Sequence, residues 1–326
     1  MIGRVGVITD TGRKRRHNED AYVCEPPLFA IADGMGGAQA GEVASRLAAA
    51  ALMESGTSAG GERRIADLIQ EANRRVYDRS NTDPNTSGMG TTITVALVGD
   101  GTVAFGHVGD SRAYLIRDGT MEQLTEDHSL VNELLKSGKL SPEEAVAHPQ
   151  RSVITRALGT DPDVDADTFT IAAEPGDMFL LCSDGLTDMV DENAILELVE
   201  RNRSDVNAAL KALVRAANRG GGEDNITVVA FEITDAAFHD GQTQEQALPQ
   251  ELAGQRRVVD DEDTLDETDA VPAVDTRVIS VDELQEEAAA EERARRRHRR
   301  RRLLSWLVLV LFFAGVVAVL VWRLLS

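Results

Sequence analysis

Apolar residues in the first 233 positions either alternate with polar ones or form short continuous runs, and Gly, Asp or Pro bounds many of these stretches. Alternation is typical of a β-strand with one buried face, and a short apolar run is typical of a strand buried on both faces. The sequences Gly99-Asp100-Gly101 and Arg117-Asp118-Gly119 predict hairpin turns. We predict strands at residues 4–9, 21–24, 28–32, 91–98, 103–108, 113–117, 168–172, 178–182 and 226–233.

Helices are predicted between these groups of strands, at residues 41–55, 63–79, 129–137, 142–147, 192–201 and 204–219. Apolar residues at helical spacing form a core-facing stripe on the second helix, made of Ile65, Leu68, Ile69, Ala72 and Val76. Strands joined by hairpins, with helices in pairs between them, argue against repeated βαβ units and favour an α+β fold. We therefore expect a central antiparallel β-sandwich flanked by helices over residues 1–233.

The chain changes character after residue 233. Residues 234–292 are rich in acid and poor in aromatics, a composition that buries too little surface to offset chain entropy, so we predict a disordered acidic linker. Residues 293–302 then hold eight Arg and one His without an acid. Twenty residues without a charge follow, from Leu303 to Trp322.

The uncharged stretch predicts a transmembrane helix at residues 303–325. Twenty residues at 1.5 Å per residue span about 30 Å, which matches the hydrocarbon core of a bilayer. Trp306 and Trp322 lie near its two ends, where interfacial anchors are found. Because the Arg segment at 293–302 should stay cytoplasmic, we expect a single-pass tail anchor in the inner membrane with the folded domain in the cytoplasm. Two further roles of the Arg segment stay open, the binding of anionic lipid head groups and folding back onto the acidic linker.

Charge and cysteine content exclude other classes. The net charge of −21, from 55 acidic and 34 basic residues, argues against a nucleic-acid partner. Cys24 and Cys182 are too few for a disulfide framework and lack the spacing of a zinc site, so we expect reduced, buried thiols. The single Gly of the terminal apolar stretch provides no helix-pairing motif, and the sequence leaves the oligomeric state open.

Four turn-like Asp dipeptides are distributed along the folded part, at Glu19-Asp20, Asp33-Gly34, Asp184-Gly185 and Asp224-Asn225. An Asp at the end of a buried strand holds its carboxylate rigidly, and a following Gly lets the backbone turn sharply. If the fold gathers these strand ends, the carboxylates form an all-oxygen set, which Glu19, Asp110 and Asp188 could join. Hard oxygen ligands suit Mn²⁺ or Mg²⁺ rather than Zn²⁺, and a pair of such ions can activate a water to attack phosphorus.

Eight motifs follow one another in this order: Arg15-x-x-Asn18-Glu19-Asp20, Ala32-Asp33-Gly34-Met35-Gly36-Gly37, Gly90-Thr91-Thr92, Val108-Gly109-Asp110-Ser111-Arg112, Thr125-Glu126-Asp127-His128-Ser129, Ile154-Thr155-Arg156-Ala157-Leu158-Gly159, Cys182-Ser183-Asp184-Gly185-Leu186 and Glu223-Asp224-Asn225-Ile226-Thr227. The series resembles the metal-dependent protein phosphatases, the protein phosphatase 2C family, in its bacterial branch. The resemblance covers about residues 1–233 and implies a β-sandwich with two metal ions in a cleft at one end.

The resemblance also implies roles for particular residues. Carboxylates for two core Mn²⁺ or Mg²⁺ ions would come from Asp20, Asp33, Asp184 and Asp224, with a backbone carbonyl from Gly34. Arg15 would hold the substrate phosphate. A weaker third-metal site would use Asp110 and Asp188, and residues 129–149 would form a flap beside the cleft.

Two positions depart from the family pattern. Many members carry a His near the Asp-Gly pair as a candidate general acid, whereas Met35 and Ala38 stand there in this sequence. No side chain in residues 33–41 can donate that proton, and a metal-bound water is the substitute we expect. His107 stands where an Asn is common, and we interpret it as a strand histidine with satisfied hydrogen bonds.

The sequence therefore predicts a membrane-anchored serine/threonine protein phosphatase that hydrolyses phosphoserine and phosphothreonine by a two-metal mechanism. Its partners would be phosphorylated proteins, including Ser/Thr kinases. A pseudophosphatase that only binds phosphorylated proteins would lack metal carboxylates, and all four are present. A phosphodiesterase or nuclease is disfavoured by the negative charge and by the lack of a His-Asp metal cluster.

Overall fold

The computed structural model describes residues 2–36, 40–55, 60–146 and 148–234. The described strands are β1 (Ile2–Asp10), β2 (Asp20–Glu25), β3 (Leu28–Met35), β4 (Gly90–Thr91), β5 (Ile93–Val98), β6 (Thr102–Val108), β7 (Arg112–Arg117), β8 (Thr120–Gln123), β9 (Asp167–Ala172), β10 (Met178–Cys182) and β11 (Ile226–Ile233). The described helices are α1 (Ala40–Glu54), α2 (Gly61–Thr82), α3 (Leu130–Lys136), α4 (Pro142–Val146), α5 (Asp184–Thr187), α6 (Glu192–Arg201) and α7 (Val206–Gly220), with a 3₁₀ turn at Pro84–Thr86.

The strands form two antiparallel sheets. One has the order β1-β11-β10-β7-β8, and the other has the order β2-β3-β5-β6-β9 with β4 paired to β3. Aromatic side chains join the facing surfaces, since Phe29 stacks on Phe231 with ring centroids 4.1 Å apart and Phe105 contacts Phe179 at 5.6 Å. Most side chains of this interior are fully buried, and their burial provides the main driving force for the sandwich.

Helices cover the outer face of each sheet. On one side, α1 and α2 pack their Ala, Leu and Ile residues against the sheet that contains β3 and β5. On the other side, α6 and α7 cover β10 and β11. Asp191 and Asp205 start these two helices because each side chain accepts a hydrogen bond from the backbone N–H three residues later, at 3.0 Å. The predicted α+β sandwich flanked by helices is confirmed.

Three local predictions were wrong or incomplete. Strand β8 was not predicted, because its sequence Thr-Met-Glu-Gln has little apolar character and it forms a partly exposed sheet edge. Asp33 lies inside β3 rather than after its end, since β4 extends the pairing to Met35. Asp184 is the first residue of the short helix α5 and not part of a plain turn.

The predicted linker (234–292), Arg segment (293–302) and transmembrane helix (303–325) lie outside the described residues, apart from residue 234. Among the helices that the structure does describe, none is long and apolar enough to cross a membrane. The domain boundaries in this part of the chain stay predictions.

Candidate metal centre

The four predicted carboxylates meet at one end of the sandwich, between the two sheets. Asp20 begins β2 and lies directly opposite Asp33 on β3 in the antiparallel register. Asp184 follows β10 and Asp224 precedes β11, and these two strands are paired neighbours in the sheet that does not contain β2 and β3. A direct bond joins the two groups, because the Ser183 hydroxyl donates to Asp20 Oδ2 at 3.0 Å. Asp20 and Asp224, 204 positions apart in the chain, thus converge because strand pairing places each at the end of its sheet and the two sheets pack face to face.

These carboxylates repel one another. Burial raises the pKa of Asp20 to about 7, and the charge of Asp224 adds to the effect. Burial, followed by the charges of Asp20 and Asp184, raises the pKa of Asp33 well above its ordinary value. The pKa of Asp184 is raised by burial and then by Asp110 and Asp224. A divalent cation would reverse each of these effects, because its charge favours the ionised carboxylates.

Two oxygen atoms test whether a cation fits. Asp20 Oδ1 and Asp184 Oδ1 are buried and have no hydrogen-bond partner in the part of the chain that the structure describes. Buried polar atoms are nearly always paired, so an unpaired oxygen beside other carboxylates is a group prepared for a ligand. Within the described residues no three Asp, Glu, His or Cys side chains already surround one metal position, so the carboxylates would have to move together around an ion.

Close backbone packing accounts for Gly34. A side chain there would place its Cβ 2.1 Å from the carbonyl oxygen of Gly41 and 2.6 Å from that of Glu19. Only Gly therefore lets β3 and the start of α1 approach the metal centre this closely. Its predicted role as a carbonyl ligand stays a prediction.

Arg15 lies beside Asp224, partly exposed, and its role in holding the substrate phosphate stays a prediction. Its Nη2 donates to Asp224 Oδ2 at 2.7 Å, and both side chains are about one quarter exposed, at 26%. Partial burial lowers the pKa of Arg15, but the charge of Asp224 and the hydrogen bond to it outweigh this effect and raise it. The guanidinium is thereby held beside the carboxylates, where its remaining N–H groups can donate to an anion in the cleft.

Asn225 was named only as part of a motif, yet it organises the centre. Its Oδ1 accepts from the Glu19 backbone N–H at 2.7 Å, while its Nδ2 donates to the carbonyls of Thr11 and His17 at 2.9 and 3.0 Å. One buried amide therefore shapes the loop that leads through Arg15 to Asp20. A polar residue directly before a buried strand was the signal that could have revealed it.

The predicted third-metal residues lie next to the core set. Burial, with the charges of Asp127 and Asp188, raises the pKa of Asp110 to about 7. Asp188 follows α5, and its Oδ2 lies 3.8 Å from Arg151 Nη2. Burial also raises the pKa of Asp188. Asp110 and Asp188 thus extend the same negative region, with Arg151 beside Asp188.

Met35 and His107, two of the positions that depart from the family pattern, are described by the structure, and both agree with the interpretation given from the sequence. Met35 is buried and carries no exchangeable proton, whereas Ala38 lies outside the described residues. His107 is fully buried in β6, with Nδ1 3.0 Å from Thr94 Oγ1 and Nε2 3.1 Å from the Glu126 carbonyl. The interpretation of His107 as a satisfied strand histidine is confirmed.

An α+β sandwich with a carboxylate cleft between its sheets, bordered by an Arg, defines a metal-dependent phosphate hydrolase. Comparison with known sequences identifies the family. The sequence profile described as Protein phosphatase 2C matches residues 13–226. The serine/threonine phosphatase stp of Listeria welshimeri is 41% identical over 236 residues, which cover 69% of this chain and 93% of that protein. The serine/threonine protein phosphatase PstP of Mycobacterium tuberculosis is 40% identical over 247 residues, covering 75% of this chain and 47% of that protein.

Solved structures agree. The crystal structure of the Mycobacterium tuberculosis phosphatase PstP/Ppp matches with a TM-score of 0.69 and 39% identity, covering 72% of this chain and 100% of that one. The catalytic domain of PstP in complex with two manganese ions matches with a TM-score of 0.66 and 37% identity, covering 72% and 99%. This chain belongs to the protein phosphatase 2C family, and it is a metal-dependent phosphoprotein phosphatase.

Proposed function

We propose that this enzyme hydrolyses phosphoserine and phosphothreonine in proteins with two divalent ions, Mn²⁺ or Mg²⁺, held by the four core carboxylates and the Gly34 carbonyl. The observation that carries the proposal is the pair of unpaired buried oxygens, Asp20 Oδ1 and Asp184 Oδ1, within a cluster of mutually repelling carboxylates. When bound, such ions lower the pKa of a water and neutralise phosphoryl charge. A relative of 37% identity was solved with two manganese ions, which supports the choice of metal.

The protein's own groups position the substrate. Arg15 binds the phosphate by its guanidinium fork, and its bond to Asp224 keeps that fork directed at the cleft. The backbone of β2 and of the start of α5 fixes the positions of Asp20 and Asp184 at the cleft, so the movement around an ion is confined to their side chains. Asp33 is assigned to the metal ions, and none of the described residues after it, 34–36, 40 and 41, has a side chain that can donate a proton to the leaving oxygen, so we assign that proton to solvent in the cleft.

A direct experiment compares the purified wild-type enzyme with Asp184→Asn on p-nitrophenyl phosphate and on phosphothreonine peptides, with Mn²⁺ present. We expect the variant to fold but to lose turnover on both substrates. Full turnover in a folded Asp184→Asn protein would contradict the assignment of this carboxylate. A pH–rate profile that requires an imidazole-like acid would contradict the assignment of the leaving-group proton to solvent.

We also propose that the enzyme is anchored in the inner membrane with its catalytic domain in the cytoplasm. The proposal rests on the sequence alone, namely the uncharged stretch Leu303–Trp322 and the eight Arg of residues 293–302 before it. Membrane fractions should release the full chain in detergent but not in high salt, whereas a variant that lacks residues 303–326 should be recovered without detergent. Salt release of the full chain would contradict a spanning helix.

Its substrates would then be phosphorylated proteins that reach the same membrane face, including Ser/Thr kinases anchored there. The acidic segment 234–292 would act as a tether between the domain and the anchor. A phosphoproteome comparison between the wild type and an Asp184→Asn strain tests this assignment. Phosphosites that rise in the variant should be enriched in membrane proteins, and an unchanged membrane phosphoproteome would contradict it.

A further inference from the structure

His128 forms an unusual double clamp on Gly109, the residue before Asp110. Its backbone N–H donates to the Gly109 carbonyl at 2.7 Å, and its ring Nδ1 accepts from the Gly109 backbone N–H at 3.0 Å. The other ring nitrogen, Nε2, lies 3.1 Å from Asp167 Oδ2. His128 is 7% exposed, and its ring bond to Gly109 is buried, whereas the Asp167 side chain on its other side is 44% exposed.

The bonding pattern defines the protonation state of the ring. A backbone N–H can only donate, so Nδ1 of His128 must be the acceptor and the proton must lie on Nε2, directed at Asp167. Arg156 holds that carboxylate from the other side, with Nη1 2.7 Å from Asp167 Oδ1. Burial and the charge of Arg156 lower the pKa of His128, which agrees with a neutral ring.

The clamped turn needs an external support. Gly109 has a φ of +115°, and a Cβ there would lie 2.5 Å from Thr92 Cγ2. Only Gly adopts this conformation without strain. The turn it makes leads the chain from the end of β6 to Asp110. Glycine has little conformational preference of its own, so the turn depends on bonds from outside it: those of His128 hold Gly109 before Asp110, and those of Thr92 and Thr94 hold Ser111 after it.

The same residue also closes the base of the flap. His128 directly precedes residues 129–149, and its carbonyl accepts from the Thr155 N–H at 2.8 Å, on the strand of chain that returns from the flap. Beside it, Leu130 N–H donates to the Val153 carbonyl at 2.9 Å. Both stems of the flap are therefore bonded to each other and, through one imidazole, to the Asp110 turn.

We propose that His128 is a positioning residue of the phosphatase reaction, whose Nε2–H tautomer joins the flap base to the Gly109-Asp110 turn and so places the Asp110 carboxylate for a third metal ion. This rests on the proposed phosphatase function and on the third-metal role that the family resemblance implies for Asp110. The Asp167 and Arg156 side chains orient the ring and do not touch the centre themselves.

Two variants separate the roles of the two ring nitrogens of His128. In His128→Asn the amide oxygen can occupy the position of Nδ1 and accept from Gly109, whereas in His128→Gln the amide reaches the position of Nε2 and meets Asp167 instead. Loss of an orienting partner typically costs metal affinity about 10–100-fold. We expect His128→Gln to weaken the third and weakest Mn²⁺ site by about tenfold and His128→Asn to weaken it much less. The two tighter sites should be unchanged in both, as measured by calorimetric Mn²⁺ titration.

An Asp110→Asn background provides the control. If His128 acts through Asp110, His128→Gln should have no further effect on Mn²⁺ binding in that background. Equal losses for Asn and Gln, or a loss of the two tighter sites, would show that His128 only maintains the fold and would overturn the proposal. If Asp110→Asn alone leaves all Mn²⁺ binding intact, the third-metal assignment fails, and the assignment of His128 to metal positioning fails with it.

A measurement on the unaltered, metal-free enzyme tests the clamp even if a variant does not fold. Two-bond ¹H–¹⁵N correlation spectra should show His128 as the neutral Nε2–H tautomer at neutral pH, and the Gly109 amide should exchange slowly. An Nδ1–H tautomer, an imidazolium or a rapidly exchanging Gly109 amide would overturn the proposal.

Discussion

Strand β10 has a carboxylate at each end, and the two carboxylates differ in the partners that surround them. Asp177 precedes the strand and is 1% exposed, yet Arg117 binds it with two donors, at 2.7 and 2.6 Å, and the Glu174 N–H adds a third bond at 2.7 Å. Asp184 follows the strand with one oxygen unpaired, among Asp110, Asp188 and Asp224. Burial alone therefore does not mark a functional acid. A functional acid is indicated by burial without a compensating cation, because a buried, unpaired carboxylate destabilises the fold unless a ligand binds it.

The largest expected difference is in catalysis. Asp184→Asn should lower kcat by about 100-fold or more, because it removes a carboxylate from the metal cleft, where electrostatic stabilisation of the transition state is concentrated. Asp177→Asn is the matched control at the other end of the strand. It should keep its kcat, and comparable losses in two folded variants would remove the distinction between the two ends. Steady-state assays with saturating Mn²⁺ measure both.

For the free energy of unfolding we expect the opposite order, with the larger loss in Asp177→Asn. Asp177→Asn weakens charge-assisted bonds to Arg117, which is 29% exposed, and should lower the free energy of unfolding by about 1–3 kcal/mol. Asp184→Asn should leave the metal-free protein as stable or more stable, since it removes a repelling charge. Urea unfolding of the chelated proteins measures the difference, and a more stable Asp177→Asn protein would contradict a structural role.

The two arginines allow a parallel comparison. Arg15→Lys replaces a guanidinium fork by a single ammonium group and should raise KM for phosphopeptides by about tenfold, the loss of roughly one charge-assisted hydrogen bond. Arg117→Lys, at the far end of the sandwich, should leave KM unchanged. An unchanged KM in Arg15→Lys would remove Arg15 from phosphate binding.

The stability of the metal-free protein should also depend on pH. Folded Asp20 keeps its proton up to about pH 7, whereas the unfolded chain releases it near the ordinary value of 3.8. The folded state therefore binds more protons between these values, and the metal-free protein should lose stability as pH rises across this range, by about 1.4 kcal/mol per pH unit for each extra proton. Urea midpoints between pH 5 and 8 measure it, and saturating Mn²⁺ should reduce the slope. A midpoint that rises with pH in the chelated protein would contradict the repulsion among these carboxylates.

The sequence was most informative where the pattern was local. Apolar runs and turn residues predicted most strands within one or two residues, including β10 (Met178–Cys182) and β11 (Ile226–Ile233) at their observed bounds. Edge strand β8 and the pairing that extends β3 to Met35 were missed, because both depend on a neighbouring strand rather than on their own residues.

The sequence by itself determined the types of group available for catalysis, namely four core carboxylates, Arg15 and no histidine beside Asp33. It also supplied the ordered motifs that identified the family, and the prediction of a metal-dependent phosphatase is confirmed. Residues 235–326, with the predicted anchor, depend on the sequence alone.

Only the tertiary structure decided which acids lack a partner. Asp177 and Asp184 are the same residue type beside the same strand, and although the Asp184-Gly185 motif marks one of them as a candidate ligand, the sequence does not show which of the two has a cationic partner. Arg117 reaches Asp177 from a neighbouring strand, 60 positions earlier in the chain, while Asp184 meets Asp110 and Asp224 across the cleft. Electrostatic balance is a property of distance in space, which the order of residues does not contain until the sheets have paired.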